Sequence, residues 1–233
     1  MTARTATLLV PLLMIASGWH GAHAQGGAFT RAFPLNACAF AATGRTPYFV
    51  LEPGHTIVLE DGQGIQLTIT VLDRTETVGG VVTRVVEERQ LEKGQLVEVS
   101  LNYFAICAES QSVFYFGEAV DNYKDGKIVN HHGAWRHGVG GATAGLIMPA
   151  LPLLGARYYQ EVAPGVAMDR AEITAVNSRL RTPYGALDNV LVTRESTPLE
   201  PGVFEVKAYA PGIGIIRDAE LLLVSVKLGV PRK

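Results

Sequence analysis

Clustered positive charge is absent from this sequence. Its 20 lysine and arginine residues are scattered rather than gathered into runs, and they are balanced by 22 aspartate and glutamate residues. Proteins that bind nucleic acids electrostatically concentrate basic residues on one face or in one tract. We therefore predict no nucleic-acid partner.

Long apolar runs are also absent, with one exception at the N-terminus. Arg4 precedes an apolar stretch over residues 7–18, and Ala22-His23-Ala24 supplies a small-x-small cleavage site. This pattern predicts a signal peptide over residues 1–24, cleaved after Ala24, and a periplasmic or secreted protein. No later run reaches the roughly 20 apolar residues that a membrane-spanning helix needs, so we predict no transmembrane segment in the mature chain.

Cysteine is scarce, since the chain has only Cys38 and Cys107. Export to an oxidising compartment favours a disulfide between them over two free thiols or a metal-binding pair. Leu35-Asn36-Ala37-Cys38 superficially matches a lipid-attachment site. However, Cys38 lies well beyond the apolar core of the signal, whereas a lipidated cysteine directly follows that core.

Several motifs of common enzyme classes are missing. The glycine-rich residues 138–145 carry Thr143 where a dinucleotide-binding loop needs glycine, and no Lys-Ser or Lys-Thr follows for a phosphate loop. The chain also lacks a glycine-flanked nucleophilic serine and a paired-histidine zinc helix. We predict no cofactor.

What the sequence does contain is a succession of β-type runs. Residues 65–71 and 97–103 alternate apolar and polar side chains with a period of two. Lys93-Gly94 predicts a hairpin turn before the second run, and Asp125-Gly126 predicts another turn. No long segment after the signal has helical periodicity. We predict an all-β fold, an antiparallel meander that forms a curved sheet or a partly open barrel.

The predicted organisation has three parts: the signal peptide over residues 1–24, an irregular N-terminal segment over 25–46, and one β-rich domain over 47–233. Within that domain, residues 138–155 carry no charge and are interrupted by glycine and proline. We interpret this segment as an apolar loop, either a plug in the core or a lid over a cavity.

Two groups of side chains are candidates for chemistry. Glu118, Glu161 and Asp169 would form an acid–base site if they converged on a cleft, although surface carboxylates at strand edges have the same pattern. His131, His132 and His137 are possible metal ligands, but adjacent residues of a strand point to opposite sides, and a solvated loop explains these histidines better.

Aromatic and apolar residues of the β-type runs are expected to pack in the core, and a binding surface for an apolar ligand is the alternative. The candidates for such a surface are Phe114, Phe116, Trp135, Leu146, Met148 and Tyr158.

An ordered set of motifs resembles a family of secreted bacterial proteins of unknown function. The motifs are Tyr115-Phe116-Gly117-Glu118, Gly133-Ala134-Trp135, Met148-Pro149-Ala150, Tyr159-Gln160-Glu161 and Tyr209-Ala210-Pro211-Gly212-Ile213-Gly214. The resemblance implies export and a single domain, and it carries no activity. Cys107 departs from the family pattern, which suggests that the disulfide is particular to this branch.

The sequence predicts an exported binding or envelope-associated protein without enzymatic activity, with an apolar small molecule or an envelope protein as its partner. One alternative is an extracytoplasmic, hydrolase-like enzyme that uses the carboxylates and histidines of residues 115–170. A second alternative is a structural partner of another envelope protein.

Overall fold

The computed structural model describes residues 27–229 of the protein. The predicted signal peptide and its cleavage after Ala24 lie outside these residues. The chain is almost entirely β, with one 3-10 turn at Leu35–Ala37. The strands are β1 (Phe40–Ala41), β2 (Arg45–Thr46), β3 (Phe49–Val50), β4 (Thr56–Glu60), β5 (Ile65–Val78), β6 (Val81–Glu92), β7 (Gln95–Cys107), β8 (Val113–Lys124), β9 (Lys127–Asn130), β10 (Trp135–Arg136), β11 (Thr143–Met148), β12 (Arg157–Tyr159), β13 (Glu161–Val162), β14 (Arg170–Thr182), β15 (Gly185–Ser196), β16 (Glu205–Ala210), β17 (Gly214–Asp218) and β18 (Leu221–Lys227).

Most of these strands belong to one antiparallel sheet that curls almost into a closed barrel. The order is β12-β14-β15-β16-β17-β18-β4-β5-β6-β7-β8-β11-β13. The two end strands, β12 and β13, are consecutive in the chain and are separated only by Gln160. One seam is therefore left unsealed. The prediction of an antiparallel all-β meander that forms a partly open barrel is confirmed.

Tight turns connect neighbouring strands where the sequence predicts them. Lys93 and Gly94 have φ values of 49° and 78° between β6 and β7, and Asp125 and Gly126 have 53° and 73° between β8 and β9. Positive φ at both central residues matches the right-handed twist of the flanking strands, and it favours glycine because glycine has no Cβ.

The N-terminal segment covers part of the outer face of the sheet. Its β1 pairs with β7, and Cys38 and Cys107 form a disulfide with their Cα atoms 5.1 Å apart. The ring centroids of Phe33 and Phe114 are 5.6 Å apart, and those of Phe40 and Phe116 are 5.0 Å apart. This segment is largely irregular, and it wraps over β8 and buries aromatic rings of that strand from outside.

A second apolar cluster lies where the long β14–β15 hairpin curls over the sheet. The backbone N–H of Tyr184, at the tip of this hairpin, donates to the carbonyl oxygen of Leu223 over 3.0 Å. Val190 from the hairpin packs in this cluster with Leu59 and Leu223. This cluster joins the hairpin to β4 and β18.

Residues 138–155 differ from the prediction of an apolar loop. Their central part is the strand β11, which pairs with β8 and β13 and forms part of the barrel wall. Gly145 permits this pairing, since a Cβ there would lie 2.5 Å from the carbonyl oxygen of Gln160. β11 carries no charge because its two faces are largely covered, and covered strands are apolar on both faces. The part of the segment that forms β11 is therefore neither a plug nor a lid, and Leu151, Leu153 and Leu154 after it are exposed.

We expect Leu146→Asp and Leu151→Asp to have different effects. Leu146 packs against two apolar clusters, whereas Leu151 is 76% exposed in the loop after β11. Burying a carboxylate without a partner should lower the free energy of unfolding by about 2 kcal/mol for Leu146→Asp. Leu151→Asp should change it by less than about 0.5 kcal/mol. Chemical denaturation of both variants measures this, and equal effects would contradict the assignment of β11.

Candidate functional site

The barrel interior, called the lumen here, contains two adjoining cavities. The first, the apolar chamber, has a volume of about 680 Å³. The second, the acidic chamber, has a volume of about 610 Å³. Both volumes include space that is open to solvent. The apolar chamber is lined mainly by Phe49, Ile57, Ile69, Val71, Val86, Phe104, Ile147, Ile213 and Ile215. The acidic chamber is lined by polar side chains from β6, β7, β8, β10, β13, β15 and β16, including Glu88, Asn102, Tyr115, Glu118, Trp135, Gln160, Glu161, Asp169, Glu195 and Lys207.

The two chambers share part of their walls. Glu88, Phe104, Ile147 and Lys207 line both of them. A further cavity of about 950 Å³, the mouth, shares Glu118, Asp169, Glu195 and Lys207 with the acidic chamber and is bordered by side chains of residues 197–205. A ligand in this lumen would contact carboxylates at one end and apolar side chains at the other.

A β-bulge brings Glu118 into the lumen. Strict alternation along β8 would place Tyr115 and Glu118 on opposite faces of the sheet. The register between β7 and β8 shifts between the pairs Tyr103↔Gly117 and Phe104↔Tyr115. A bulge adds one residue to one strand and reverses the alternation beyond it. Tyr115 and Glu118 therefore line the same chamber.

The same bulge positions Trp135. The strand β10 pairs with β8 in the register Trp135↔Glu118 and Arg136↔Gly117. A Cβ on Gly117 would lie 2.7 Å from the carbonyl oxygen of Trp135, so only glycine permits this approach. The Trp135 ring is 6% exposed, and its buried Nε1–H has no hydrogen-bond partner within the part of the chain that the structure describes.

Glu161 lies beside the seam of the barrel. It is 2% exposed, and its Oε1 accepts a hydrogen bond from the backbone N–H of Asp169 over 2.5 Å. The backbone N–H of Gln160 donates to the carbonyl oxygen of Asp169 over 2.8 Å. The side-chain amide of Gln160 donates to Glu195 Oε1 over 3.1 Å. Backbone geometry at the seam therefore holds Glu161 and Asp169 next to each other.

Lys207 is the one cationic side chain among the residues that line the acidic chamber. Its Nζ lies 3.4 Å from Glu195 Oε2 and 3.5 Å from Asp218 Oδ1. Burial by itself lowers the pKa of Lys207, but the charges of Asp218 and Glu195 outweigh burial and hold that pKa well above its ordinary value. Lys207 therefore stays protonated and forms ion pairs with two carboxylates, so it does not act as a nucleophilic amine.

The remaining carboxyl groups of the chamber are difficult to ionise. Burial, followed by the charge of Glu88, raises the pKa of Glu118 from 4.5 to about 8. Burial raises the pKa of Glu88 from 4.5 to about 7, against the opposing effect of Lys207. Burial and the neighbouring Asp169 hold the pKa of Glu161 well above its usual range, and burial also raises the pKa of Asp169. Near neutral pH the empty chamber therefore keeps several carboxyl groups protonated.

The structure brings the three predicted catalytic carboxylates together. Glu118, Glu161 and Asp169 all line the acidic chamber, although they come from different parts of the chain. The predicted histidines do not join them. His131 Nδ1 lies 2.8 Å from Asp121 Oδ1, His132 is exposed, and His137 Nδ1 accepts a hydrogen bond from the backbone N–H of Ala144.

No metal site is formed by these histidines in the part of the chain that the structure describes. The one group of three potential ligands found among residues 27–229 consists of Cys38, Cys107 and Glu109, and both of these cysteines are in the disulfide. The predicted histidine site lacks the convergence of ligands that a bound metal ion needs.

The six residues that were predicted to bind an apolar ligand lie in different parts of the structure. Trp135 lines the acidic chamber. Phe114 and Phe116 pack in the cluster beneath the N-terminal wrap, because alternation along β8 places them on the face opposite to Tyr115. Met148 and Tyr158 are buried in the largest apolar cluster, and Leu146 packs against that cluster from its edge. None of these five is among the residues that line the two chambers.

Sequence reasoning missed Glu88, Glu195 and Lys207. Glu88 follows Glu87 in β6, and the next residue, Arg89, is also charged, so that both faces of this strand carry charge. Lys207 is an isolated lysine between Val206 and Ala208. Glu88 lies two residues after the apolar Val86 and therefore on the same face of β6, which is the one sequence feature that could have identified it. Charged residues also occur at such positions on ordinary edge strands.

Comparisons with protein-family models, with curated proteins and with solved structures found no match. The resemblance to secreted bacterial proteins therefore stays a prediction. No helix among residues 27–229 is long and apolar enough to cross a membrane.

Proposed function

We propose that this protein is a non-enzymatic binding protein that acts in the periplasm or outside the cell and holds a small, mainly apolar molecule in its lumen. The observation that carries this proposal is the lining of the apolar chamber, which consists mainly of aliphatic and aromatic side chains with a few polar groups among them. Ligand sites of this kind combine a large apolar wall with a few orienting polar groups.

The polar groups of the apolar chamber support this proposal. Glu88, Lys207, Tyr209 and Asp218 line it together, next to the acidic chamber. His55 lies in the wall with its Nε2 2.8 Å from the carbonyl oxygen of Ile213, whereas its buried Nδ1 has no partner within residues 27–229. Such groups would orient a ligand without covering its apolar body.

The disulfide supports the proposed location. Structural disulfides persist in oxidising compartments and are rare in the cytoplasm. The bond between Cys38 and Cys107 joins the N-terminal wrap to β7. The disulfide is therefore a structural part of the fold.

Binding of the neutral fluorescent probe N-phenyl-1-naphthylamine tests the proposal. We expect its fluorescence to rise with wild-type protein and to saturate. Ile147→Trp, which fills the lumen where the two chambers meet, should weaken this binding by about tenfold. Leu151→Trp is the matched control, since Leu151 is 76% exposed and lies outside the lumen.

Near-ultraviolet circular dichroism should show that both tryptophan variants remain folded. If Ile147→Trp unfolds the protein, Ile215→Trp tests the same chamber from the opposite wall. Absence of saturable binding to the wild type, or equal weakening by Leu151→Trp, would overturn the proposal.

Acid–base catalysis is a second candidate function. The specific observation in its favour is that Glu118, with a pKa of about 8, and Glu88, with a pKa of about 7, line one chamber. Carboxyl groups with pKa values near neutrality are suited to exchange protons with a bound molecule. Extracts of the exporting host incubated with wild-type protein or with Glu118→Gln would distinguish the two functions. A product that accumulates only with the wild type favours catalysis.

A further inference from the structure

We propose that the acidic chamber recognises a protonated amine on a ligand whose apolar body occupies the apolar chamber. This inference rests on the proposed binding function and names the chemical class of the ligand. It is supported by the charges in the chamber, by an unpaired buried donor and by the separation of the carboxylates.

The first support is an excess of carboxylates over cations. Glu88, Glu118, Glu161, Asp169 and Glu195 line the acidic chamber together with the single Lys207. Lys207 is within ion-pair distance of Glu195 and Asp218. None of Glu88, Glu118, Glu161 and Asp169 has an ion pair with a cationic side chain of residues 27–229. Whichever of these carboxyl groups ionises therefore lacks a cationic partner, and a bound cation would supply one.

The second support is independent of charge. Trp135 lines the same chamber and is 6% exposed, and its Nε1–H has no partner in the described part of the chain. Buried donors without partners are rare in folded proteins, and each calls for an explanation such as a ligand or an ordered water. An acceptor oxygen on the ligand, close to its amine, would take this hydrogen bond.

The spacing of the carboxylates favours an organic cation over a divalent metal ion. A calcium or magnesium ion needs its oxygen ligands gathered around one point, at 2.0–2.6 Å from the ion. The lumen carboxylates do not form a group of three whose oxygens lie within 4.8 Å of one another, since the one such group in residues 27–229 lies at the disulfide. An ammonium group has three N–H donors and can bridge carboxylates that are further apart.

The arrangement of the two chambers defines the rest of the ligand. Phe104 and Ile147 belong to both walls, so an apolar body could extend from the acidic chamber along these two side chains. The mouth shares Glu118 and Asp169 with the acidic chamber and is bordered by Leu199 and Val203, which are 42% and 51% exposed. We infer that an amphipathic amine is the class of ligand that fits.

A matched pair of fluorescent probes tests this inference. Dansylcadaverine and dansyl-6-aminohexanoate have the same fluorophore and similar chains, but one ends in an ammonium and the other in a carboxylate. After cleavage at Ala24, Trp135 would be the only tryptophan of the chain. Energy transfer from Trp135 to the dansyl group therefore reports occupancy of the lumen directly.

We expect dansylcadaverine to bind at least about tenfold more tightly than dansyl-6-aminohexanoate at about pH 8.5. The double variant Glu88→Gln with Glu118→Gln should remove most of this preference without weakening the carboxylate probe. Glu87→Gln is the matched control, because Glu87 is adjacent to Glu88 in β6 and does not line either chamber.

The affinity for dansylcadaverine should increase between about pH 6 and pH 9. Glu88 and Glu118, with pKa values of about 7 and about 8, become charged over this range, whereas an alkylamine stays protonated. The carboxylate probe should show no such increase.

The possible outcomes separate this inference from the proposed function. Equal affinities for the two probes, or a preference that survives the double variant, would overturn amine recognition while leaving the apolar carrier intact. Loss of preference in Glu87→Gln as well would point to a surface effect and also overturn it. Failure of both dansyl probes and of N-phenyl-1-naphthylamine would overturn the binding function itself.

Discussion

Replacing both cysteines by serine is expected to lower the free energy of unfolding by about 4 kcal/mol. Cys38 and Cys107 are separated by 69 positions in the chain. A cross-link that closes a loop of this length reduces the conformational entropy of the unfolded chain, and the entropy model assigns it a stabilisation of this size. The variant should also loosen the N-terminal wrap over Phe114 and Phe116, since the bond lies next to the pairing of Phe40 with Cys107.

Chemical denaturation with and without a reducing agent measures this effect. Reduction should shift the unfolding midpoint of the wild type towards that of the Cys38→Ser, Cys107→Ser variant and leave the variant itself unchanged. Two alkylatable thiols in folded, oxidised protein, or a wild type that is insensitive to reduction, would contradict the prediction.

Raising the pH from about 5 to about 9 is expected to destabilise the ligand-free protein by about 4 kcal/mol through Glu118 alone. Its pKa is about 8 in the folded state against 4.5 for the ordinary group. The folded protein thus holds this proton more tightly than the unfolded chain does. The associated stability is fully present below about pH 4.5 and is lost as the pH rises through about 8, at roughly 1.4 kcal/mol for each pKa unit.

Glu118→Gln is expected to remove most of this pH dependence, because glutamine stays neutral at every pH while keeping the shape of the side chain. The variant should be more stable than the wild type at about pH 9 and similar to it at about pH 5. Glu87→Gln, on the other face of β6, should leave the pH profile as it is. Unfolding curves at a series of pH values decide this, and a wild type that is equally stable at both ends of the range would show the pKa assignment to be wrong.

The proposed amine ligand would counteract this loss of stability at high pH. A lumen that accumulates unpaired negative charge as the pH rises is least stable when it is empty. A bound amine would neutralise that charge, so the ligand should stabilise the protein more strongly at high pH than at low pH.

Local patterns predicted much of the fold. Period-two alternation identified β5 and β7, and Lys93-Gly94 and Asp125-Gly126 marked two hairpin turns. These predictions succeeded because they depend on backbone preferences and on the alternation of neighbouring side chains.

The predictions failed where a strand has two covered faces. Glycine and proline in the uncharged residues 138–155 predict a loop, yet Thr143–Met148 is a wall strand of the barrel. For Phe114 and Phe116 the sequence leaves core packing and the wall of a cavity open. The structure buries both rings in the cluster beneath the N-terminal wrap. An apolar side chain in the sequence is expected to be buried, but this expectation does not show on which face of the sheet it lies.

By itself, the sequence determined the β class of this protein, the two hairpin turns named above, the pairing of its only two cysteines, and three of the carboxylates that line the acidic chamber, Glu118, Glu161 and Asp169. Only the tertiary structure decided that these carboxylates meet. The bulge at Gly117 turns Glu118 inward, the seam at Gln160 holds Glu161 beside Asp169, and distant strands add Glu88, Glu195 and Lys207. Their shared environment depends on strand register and closure of the sheet, which are properties of contacts between residues far apart in the chain.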